Sequence, residues 1–175
     1  AFVVVAAVFA FTMLSAGMFA TERSKEAVYA GLEEVRGSME LRGSIIASAS
    51  VTGTDGHVDQ LDFTVSNVAS GEPIDLTDNN PSSNNNKVVI DYLDLDNRVT
   101  NLIWDATFTG NHDGDMLLED GELAQLTVYL TGTTASSVTV GVNTLFHLEV
   151  KPPKGGVMIL ERTTPAYIDP VMDLK

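Results

Sequence analysis

The first twenty residues of the chain carry no charged side chain, which limits the folds open to it more than any other feature. They read AFVVVAAVFAFTMLSAGMFA, and only Thr12 and Ser15 have polar side chains. As an α-helix this segment rises about 30 Å, which matches the hydrocarbon core of a bilayer. Because such a helix is apolar around its whole circumference, it has to be covered on all sides. The rest of the chain can hide one face, so lipid or copies of the same helix must cover the others.

The apolar segment differs from a secretory signal peptide, whose apolar part is shorter and follows a basic flank. Here the run begins at residue 1, with neither a basic residue nor an initiator Met before it. We therefore expect that the chain has been processed or truncated upstream.

The helical pattern continues beyond the uncharged segment, because no proline occurs before Pro73. An apolar stripe with spacings of 4, 3 and 4 residues follows, and this spacing is typical of one face of a helix. Its members are Val28, Leu32, Val35 and Met39. These features predict one helix from near residue 1 to about residue 47, about 70 Å long. Residues 1–47 form the first predicted domain.

The apolar side chains of this helix are the candidate polymer core, where identical helices would pack together. Small residues four apart, such as Ala6 and Ala10, allow close helix packing. The predicted core residues are Phe2, Val5, Val8, Phe9, Phe11, Leu14, Met18, Phe19, Val28, Leu32 and Val35.

From residue 48 onward the composition changes to the pattern of a β-domain. Apolar and polar residues alternate at 61–66, 126–130 and 146–150, which indicates strands with one buried face. Further strands are predicted at 87–95, 99–105, 137–142 and 157–161, for a total of seven to nine, whereas 78–86 is typical of a polar loop. We predict an α+β fold: a long N-terminal hydrophobic helix, then an antiparallel β-sandwich of the immunoglobulin-like type over residues 48–175.

The charge is concentrated in the second part of the chain. The whole sequence has 24 acidic and 10 basic residues, for a formal net charge of −14. Residues 1–48 hold 5 of the acidic and 4 of the basic residues, whereas 49–175 hold 19 and 6. A nucleic-acid-binding protein needs a basic surface, so we expect no nucleic-acid partner.

Enzymatic chemistry has no support in the sequence. His57, His112 and His147 lie near no nucleophile motif, and no GxSxG, HExxH or Walker pattern occurs. Cysteine is absent, which excludes disulfides, cysteine zinc sites and thiol catalysis. We predict that the chain is not an enzyme and has no catalytic or cofactor-binding residues.

One acidic segment, NHDGDMLLEDGE at 111–122, is a candidate site for a structural divalent cation. Oxygen-bearing side chains at alternate positions, followed by a carboxylate, suit Ca²⁺. The candidate ligands are Asn111, Asp113, Asp115 and Glu119. The segment departs from the EF-hand pattern, because Met116 stands where the turn glycine belongs. An acidic turn between two strands, without an ion, is the alternative interpretation.

Three segments resemble archaellins, the filament subunits of the archaeal swimming organelle, which belong to the type IV pilin-like proteins. AFVVVAAV at 1–8 is similar to the Val/Ala-rich stretch of the archaellin helix. Trp104, followed by GDMLLEDGE at 114–122, is similar to an acidic turn common in the family. FHLEVKPPKGGVMILERTTP at 146–165 resembles the family's carboxy-terminal signature, in which a strand enters Lys-Pro-Pro and a second strand ends in Glu-Arg-Thr.

The resemblance implies a structural subunit of the archaellum, which self-assembles into a helical homopolymer used for swimming. It also implies a membrane-inserted precursor whose leader is removed by a prepilin-type peptidase, after which the helix moves from lipid into the filament. Archaellum motor and assembly proteins would be further partners. The β-domain would then lie on an extracellular filament.

Two other interpretations remain open at this point. An archaeal adhesion pilin shares the same layout of helix and β-domain, and only the carboxy-terminal segment favours the archaellum over it. A membrane-anchored acidic ectodomain that binds ligands or ions would use the helix as a single anchor.

Overall fold

The computed structural model describes residues 2–68, 71–77, 88–131 and 138–175. One α-helix, α1 (Phe2–Arg36), is followed within these ranges by eleven β-strands. The strands are β1 (Met39–Ser48), β2 (Gln60–Asn67), β3 (Ile74–Asp75), β4 (Val89–Asp94), β5 (Arg98–Val99), β6 (Ile103–Thr109), β7 (Leu117–Leu118), β8 (Leu123–Tyr129), β9 (Leu145–Lys151), β10 (Met158–Thr163) and β11 (Val171–Leu174).

The helix α1 ends at Arg36, earlier than the sequence pattern predicts. Gly37 and Ser38 follow it, and glycine is the residue most often found just after a helix end. The basic Arg36 in the last turn also interacts favourably with the helix dipole. The prediction that the helix continues to residue 47 is therefore wrong.

Residues Met39–Ser48 form a strand because two of their side chains have a place in the core of the sheet. Ile45 and Ala47 are fully buried, and their strand pairs with both β2 and β11. Gly43 has a φ of +87°, which interrupts the pairing between Arg42 and Ile46 and is incompatible with a helix. The change from helix to strand thus falls at 37–38, and the predicted division into domains 1–47 and 48–175 stays a prediction.

The strands form two larger antiparallel sheets and one small one. The five-stranded sheet has the order β11-β1-β2-β8-β6, and the four-stranded sheet has the order β10-β9-β4-β5. A two-stranded sheet pairs β3 with β7. The predicted layout, a long apolar helix followed by antiparallel β-structure, is confirmed.

The buried side chains of both larger sheets belong to one hydrophobic core. Trp104, Leu61 and Leu126 come from the five-stranded sheet and are fully buried. Tyr92 and Phe146 come from the four-stranded sheet, and their rings stack with centroids 5.8 Å apart. Two antiparallel sheets that share one core are the arrangement of a β-sandwich.

Five of the predicted strands overlap strands of the structure: 61–66, 126–130, 146–150, 87–95 and 157–161 correspond to β2, β8, β9, β4 and β10, with residue 87 outside the described residues. The predicted strand 99–105 is instead divided between β5 and β6, because Asn101 adopts a φ of 58°. Within 137–142, the described residues form only an isolated bridge from Val140 to Val58. The predicted loop 78–86 lies outside the described residues.

Candidate assembly surface and acidic turn

The helix α1 presents an apolar surface that the β-domain does not cover. From Phe2 to Leu32 its mean hydropathy reaches 2.3, and none of the most apolar window is buried. All eleven predicted core residues are at least 45 % exposed, from Leu32 at 45 % to Phe2 at 87 %. Soluble monomers rarely expose so large a continuous apolar surface, so this one requires a partner.

Three hydroxyl groups along α1 donate hydrogen bonds to the backbone of the helix itself. The hydroxyl of Thr12 donates a hydrogen bond to the carbonyl oxygen of Phe9, at 2.9 Å. Thr21 and Ser24 donate in the same way to carbonyl oxygens four residues earlier, at 2.8 and 2.9 Å. These three hydroxyls are therefore paired within the helix, which avoids the cost of an unpaired polar group in apolar surroundings.

The helix becomes polar at a defined point. Charged residues start at Glu22, and the guanidinium of Arg23 lies over the ring of Phe19, 5.3 Å from its centroid. A cation over an aromatic ring is favourable and keeps the arginine close to the apolar segment without burying it. This is the arrangement expected where an apolar covering of α1 ends.

The acidic turn between β6 and β8 brings together a different set of side chains from the predicted ligands. Oxygen and nitrogen atoms of His112, Asp113 and Glu122 lie within 4.8 Å of one another. Glu122 is buried, and its carboxylate accepts a hydrogen bond from the backbone N–H of Glu119 at 3.0 Å. The ring of His112 stacks on Phe108, with centroids 4.2 Å apart.

Of the four predicted ligands, only Asp113 belongs to this group. The carboxylate of Asp115 accepts the backbone N–H of Leu117 at 2.8 Å and so stabilises the turn. Sequence spacing missed Glu122 because the turn, and not alternation along the chain, brings it next to His112. Calcium binding by Asn111, Asp113, Asp115 and Glu119 stays a prediction. In the group that the structure brings together, the carboxylates of Asp113 and Glu122 are oxygen donors that suit calcium, whereas the ring nitrogen of His112 is not.

An ion-pair network on the four-stranded sheet was also missed in the sequence. Lys151 Nζ lies 2.6 Å from a carboxylate oxygen of the buried Asp91 and 2.7 Å from one of Glu149. Asp91 and Glu149 face each other across β4 and β9, and the backbone N–H of Asn101 donates to Asp91. Hydrogen bonds to the two carboxylates raise the pKa of Lys151. The positive charge of this side chain offsets the repulsion between the carboxylates of Asp91 and Glu149.

Comparison with known proteins identifies the family. The family model of the archaeal-type flagellins matches residues 1–162. The chain belongs to this family. A probable flagellin 1 of Archaeoglobus fulgidus is 35 % identical and aligns with 99 % of this chain and 88 % of its own length. A probable flagellin 1 of Aeropyrum pernix is 30 % identical over 96 % of this chain and 87 % of its own.

Solved structures agree with this assignment. The subunit of the archaeal flagellum of Methanospirillum hungatei strain JF1 is 28 % identical, with a TM-score of 0.61, over 99 % of this chain and 92 % of that one. The flagellin FlaB1 of Methanocaldococcus jannaschii, at 15 % identity, shows the same fold, with a TM-score of 0.60 over 78 % of this chain and 95 % of that one. The archaeal-type flagellins are structural filament subunits, so the resemblance to archaellins and the prediction that the chain is not an enzyme are both confirmed.

Proposed function

We propose that this chain is a structural subunit of an archaellum and that it polymerises through α1 into a helical homopolymer. The observation that carries the proposal is the uncovered apolar surface of α1, with all eleven predicted core residues exposed. Membership of the flagellin family supports a filament as the partner that covers this surface. Neighbouring copies of α1 would supply that cover.

Before assembly, α1 would be held in the membrane. Its apolar segment is long enough to cross a bilayer, and the hydroxyl of Thr12 within it is already hydrogen-bonded to the helix backbone. Transfer from lipid to a core of like helices exchanges one apolar environment for another, so it gains little hydrophobic free energy. Close helix packing and contacts between β-domains must then supply the preference for the filament.

Transfer of the chain from the membrane to a filament would require other proteins. A prepilin-type peptidase would release the precursor, and archaellum assembly and motor proteins would extract and rotate the polymer. The β-domain would lie outside the cell, where its acidic surface keeps it solvated. The same charge repels neighbouring subunits, and salt screens that repulsion.

Removal of residues 1–20 tests the proposal directly. We expect the shortened chain to be a soluble, monomeric β-domain, while the full chain forms thin fibres of uniform diameter in electron micrographs. Sedimentation and microscopy of the two chains at equal concentration provide the comparison. Fibres formed by the shortened chain would show that the β-domain alone holds the polymer.

Two alternatives give different outcomes. An adhesion pilin would also form fibres, but deletion of the gene would abolish attachment and leave swimming intact, whereas we expect the reverse. A membrane-anchored ectodomain would remain a monomer in the membrane fraction and would form no fibre.

A further inference from the structure

The end of α1 is held by two other segments of the chain at a single place. We call this place the neck and define it as residues 36–38, 71–72 and 153–156. The backbone N–H of Glu72 donates to the carbonyl oxygen of Arg36 at 2.9 Å. From the other side, the backbone N–H of Gly156 donates to the hydroxyl of Ser38 at 3.0 Å. The helix therefore leaves the β-domain between two loops, one bonded to its last residue and the other to Ser38 just after it.

Three glycines allow the backbones in the neck to approach more closely than any side chain permits. A Cβ atom on Gly37 would lie 2.5 Å from the carbonyl oxygen of Lys154. A Cβ atom on Gly155 would lie closer than 3.0 Å to the carbonyl group of Gly37, and Gly155 has a φ of +99°. A Cβ atom on Gly71 would overlap the carbonyl oxygen of Arg36. In each case the obstacle includes backbone, which cannot rotate away as a side chain can.

The neck is also bonded to the β-domain behind it. The side-chain amide of Asn67, at the end of β2, donates to the carbonyl oxygens of Glu72 and Leu118, at 2.7 and 3.1 Å. Lys154 Nζ lies 3.4 Å from a carboxylate oxygen of Glu72, which links the two loops. Met39, the first residue of β1, is buried in the core. The end of α1 is thus fixed to the body of the domain and not only to a connecting peptide.

A small rotation at this place would move the helix by a large distance. The 35 residues of α1 extend about 50 Å, so a tilt of about 10° at the neck displaces the tip by about 9 Å. Packed helices lie about 8–10 Å apart, so this tilt would shift the tip to a neighbouring packing position. A rigid neck also avoids the entropy cost of ordering a loose joint during assembly.

We propose that Gly37, Gly71 and Gly155 are positioning residues, which fix the angle between α1 and the β-domain and thereby the helical rise and twist of the filament. The inference depends on the proposed function for its second part, since only a polymer has a rise and a twist. Its first part concerns the single chain and can be measured without a filament.

The angle can be measured in the full chain because the protein has no native cysteine. Spin labels on Glu26→Cys in α1 and Thr107→Cys in β6 report the distance between helix and domain in detergent. We expect a single narrow distance distribution, which Gly37→Ala and Gly155→Ala each shift or broaden. Gly141→Ala is the matched control, because a Cβ atom there meets nothing within 4 Å. Fluorescence of the buried Trp104 checks that the β-domain stays folded.

Filaments of the same variants provide the second readout. We expect Gly37→Ala and Gly155→Ala to change the rise and twist or to prevent assembly, while Gly141→Ala filaments match the unmodified ones. Where an alanine variant loses the Trp104 signal, Ser38→Ala replaces it, because this change removes the hydrogen bond to Gly156 without adding volume. A broad distance distribution in the unmodified chain, or one that no neck variant alters, overturns the inference. A narrow distribution in a chain that forms no fibre would instead overturn the proposed function.

Discussion

Phe11 and Phe146 are the same amino acid in opposite surroundings. Phe11 in α1 is 70 % exposed, whereas Phe146 in β9 is fully buried and stacks on Tyr92. The β-domain covers its apolar side chains within one chain, and the helix covers none of those in its apolar part. One region can therefore reach its stable state alone, and the other requires further molecules.

The two regions also differ in how they use charge. The apolar part of α1 excludes charge altogether, while the β-domain carries most of the net charge of −14 on its surface. An excess of one sign keeps a folded domain soluble but weakens its association with copies of itself. Assembly through the uncharged helix lets the acidic domains remain in contact with water, which explains why one chain contains two such unlike parts.

The largest effect is expected from a charge placed on the helix. Leu14→Asp puts a carboxylate into the proposed filament core, where an unpaired charge costs several kcal/mol per subunit, so assembly should be abolished. Leu95→Asp is the matched control, because Leu95 is the more exposed of the two in the single chain, at 97 % against 66 %. Sedimentation and electron microscopy distinguish the two variants. Fibres of Leu14→Asp would show that this part of α1 is not in the core.

The second prediction concerns the stability of the β-domain. Phe146→Ala should lower the free energy of unfolding by about 3–5 kcal/mol, because it leaves a cavity beside Tyr92. Phe11→Ala should leave it unchanged, because Phe11 contacts no part of the β-domain core. Urea unfolding of the full chain in detergent, followed by the fluorescence of Trp104, measures both. Equal destabilisation by the two substitutions would mean that helix and domain fold as one unit.

The sequence predicted the elements whose apolar pattern is set by local burial alone. Alternation located β2, β8 and β9, because each has one buried face. The helical spacing gave a wrong prediction at Met39, which continues the stripe of Val28, Leu32 and Val35 but lies in β1. A spacing of four residues cannot show that Gly37 lies against Lys154, which is 117 positions away along the chain.

The candidate sites show the same limit. The exposure of the apolar residues of α1 could be predicted from the local sequence, because it does not depend on contacts with distant segments. The group of His112, Asp113 and Glu122 depends on how the turn between β6 and β8 folds back, and the contact between Lys154 and Glu72 joins loops from separate parts of the chain. Short strands such as β3 and β7 exist only through their pairing with each other.

The third prediction tests whether the acidic turn binds calcium. Extracellular calcium sites of ordinary affinity would stabilise the folded chain by up to about 1.4 kcal/mol at about 1 mM calcium. We expect calcium to raise the melting temperature of the full chain in detergent and a chelator to reverse the increase. Glu122→Gln should remove the calcium effect, whereas Asp96→Asn, on the β4–β5 turn, should retain it. A melting temperature that is the same with calcium and with chelator would contradict the prediction.

The smallest expected effect is on the acid stability of the β-domain and comes from Asp59. Burial raises the pKa of this carboxyl, but hydrogen bonds from Ser50 and Thr131 and the nearby His57 outweigh it, so the pKa lies below its usual value of 3.8. A carboxyl with a lowered pKa contributes stability above its ordinary pKa and loses that contribution as the pH falls through the lowered value. We therefore expect Asp59 to add about 1 kcal/mol at neutral pH and nothing in strong acid.

The substitution Asp59→Asn tests this prediction and shows whether the β-domain and α1 lose stability separately. The amide keeps one oxygen for the hydroxyl of Thr131, at 2.7 Å in the native side chain, but carries no charge for Ser50 or His57. The free energy of unfolding of this variant should be lower than that of the unmodified chain at about pH 7. The two values should converge only as the pH falls through the lowered pKa of Asp59, which lies below the ordinary 3.8. Urea titrations across this range measure the difference. The partners of Asp59 are Ser50, Thr131 and His57, which all lie outside α1, so the helicity of α1 in detergent should not change with Asp59→Asn at any pH. A parallel loss of helix would show that the neck couples the two regions in stability as well as in orientation.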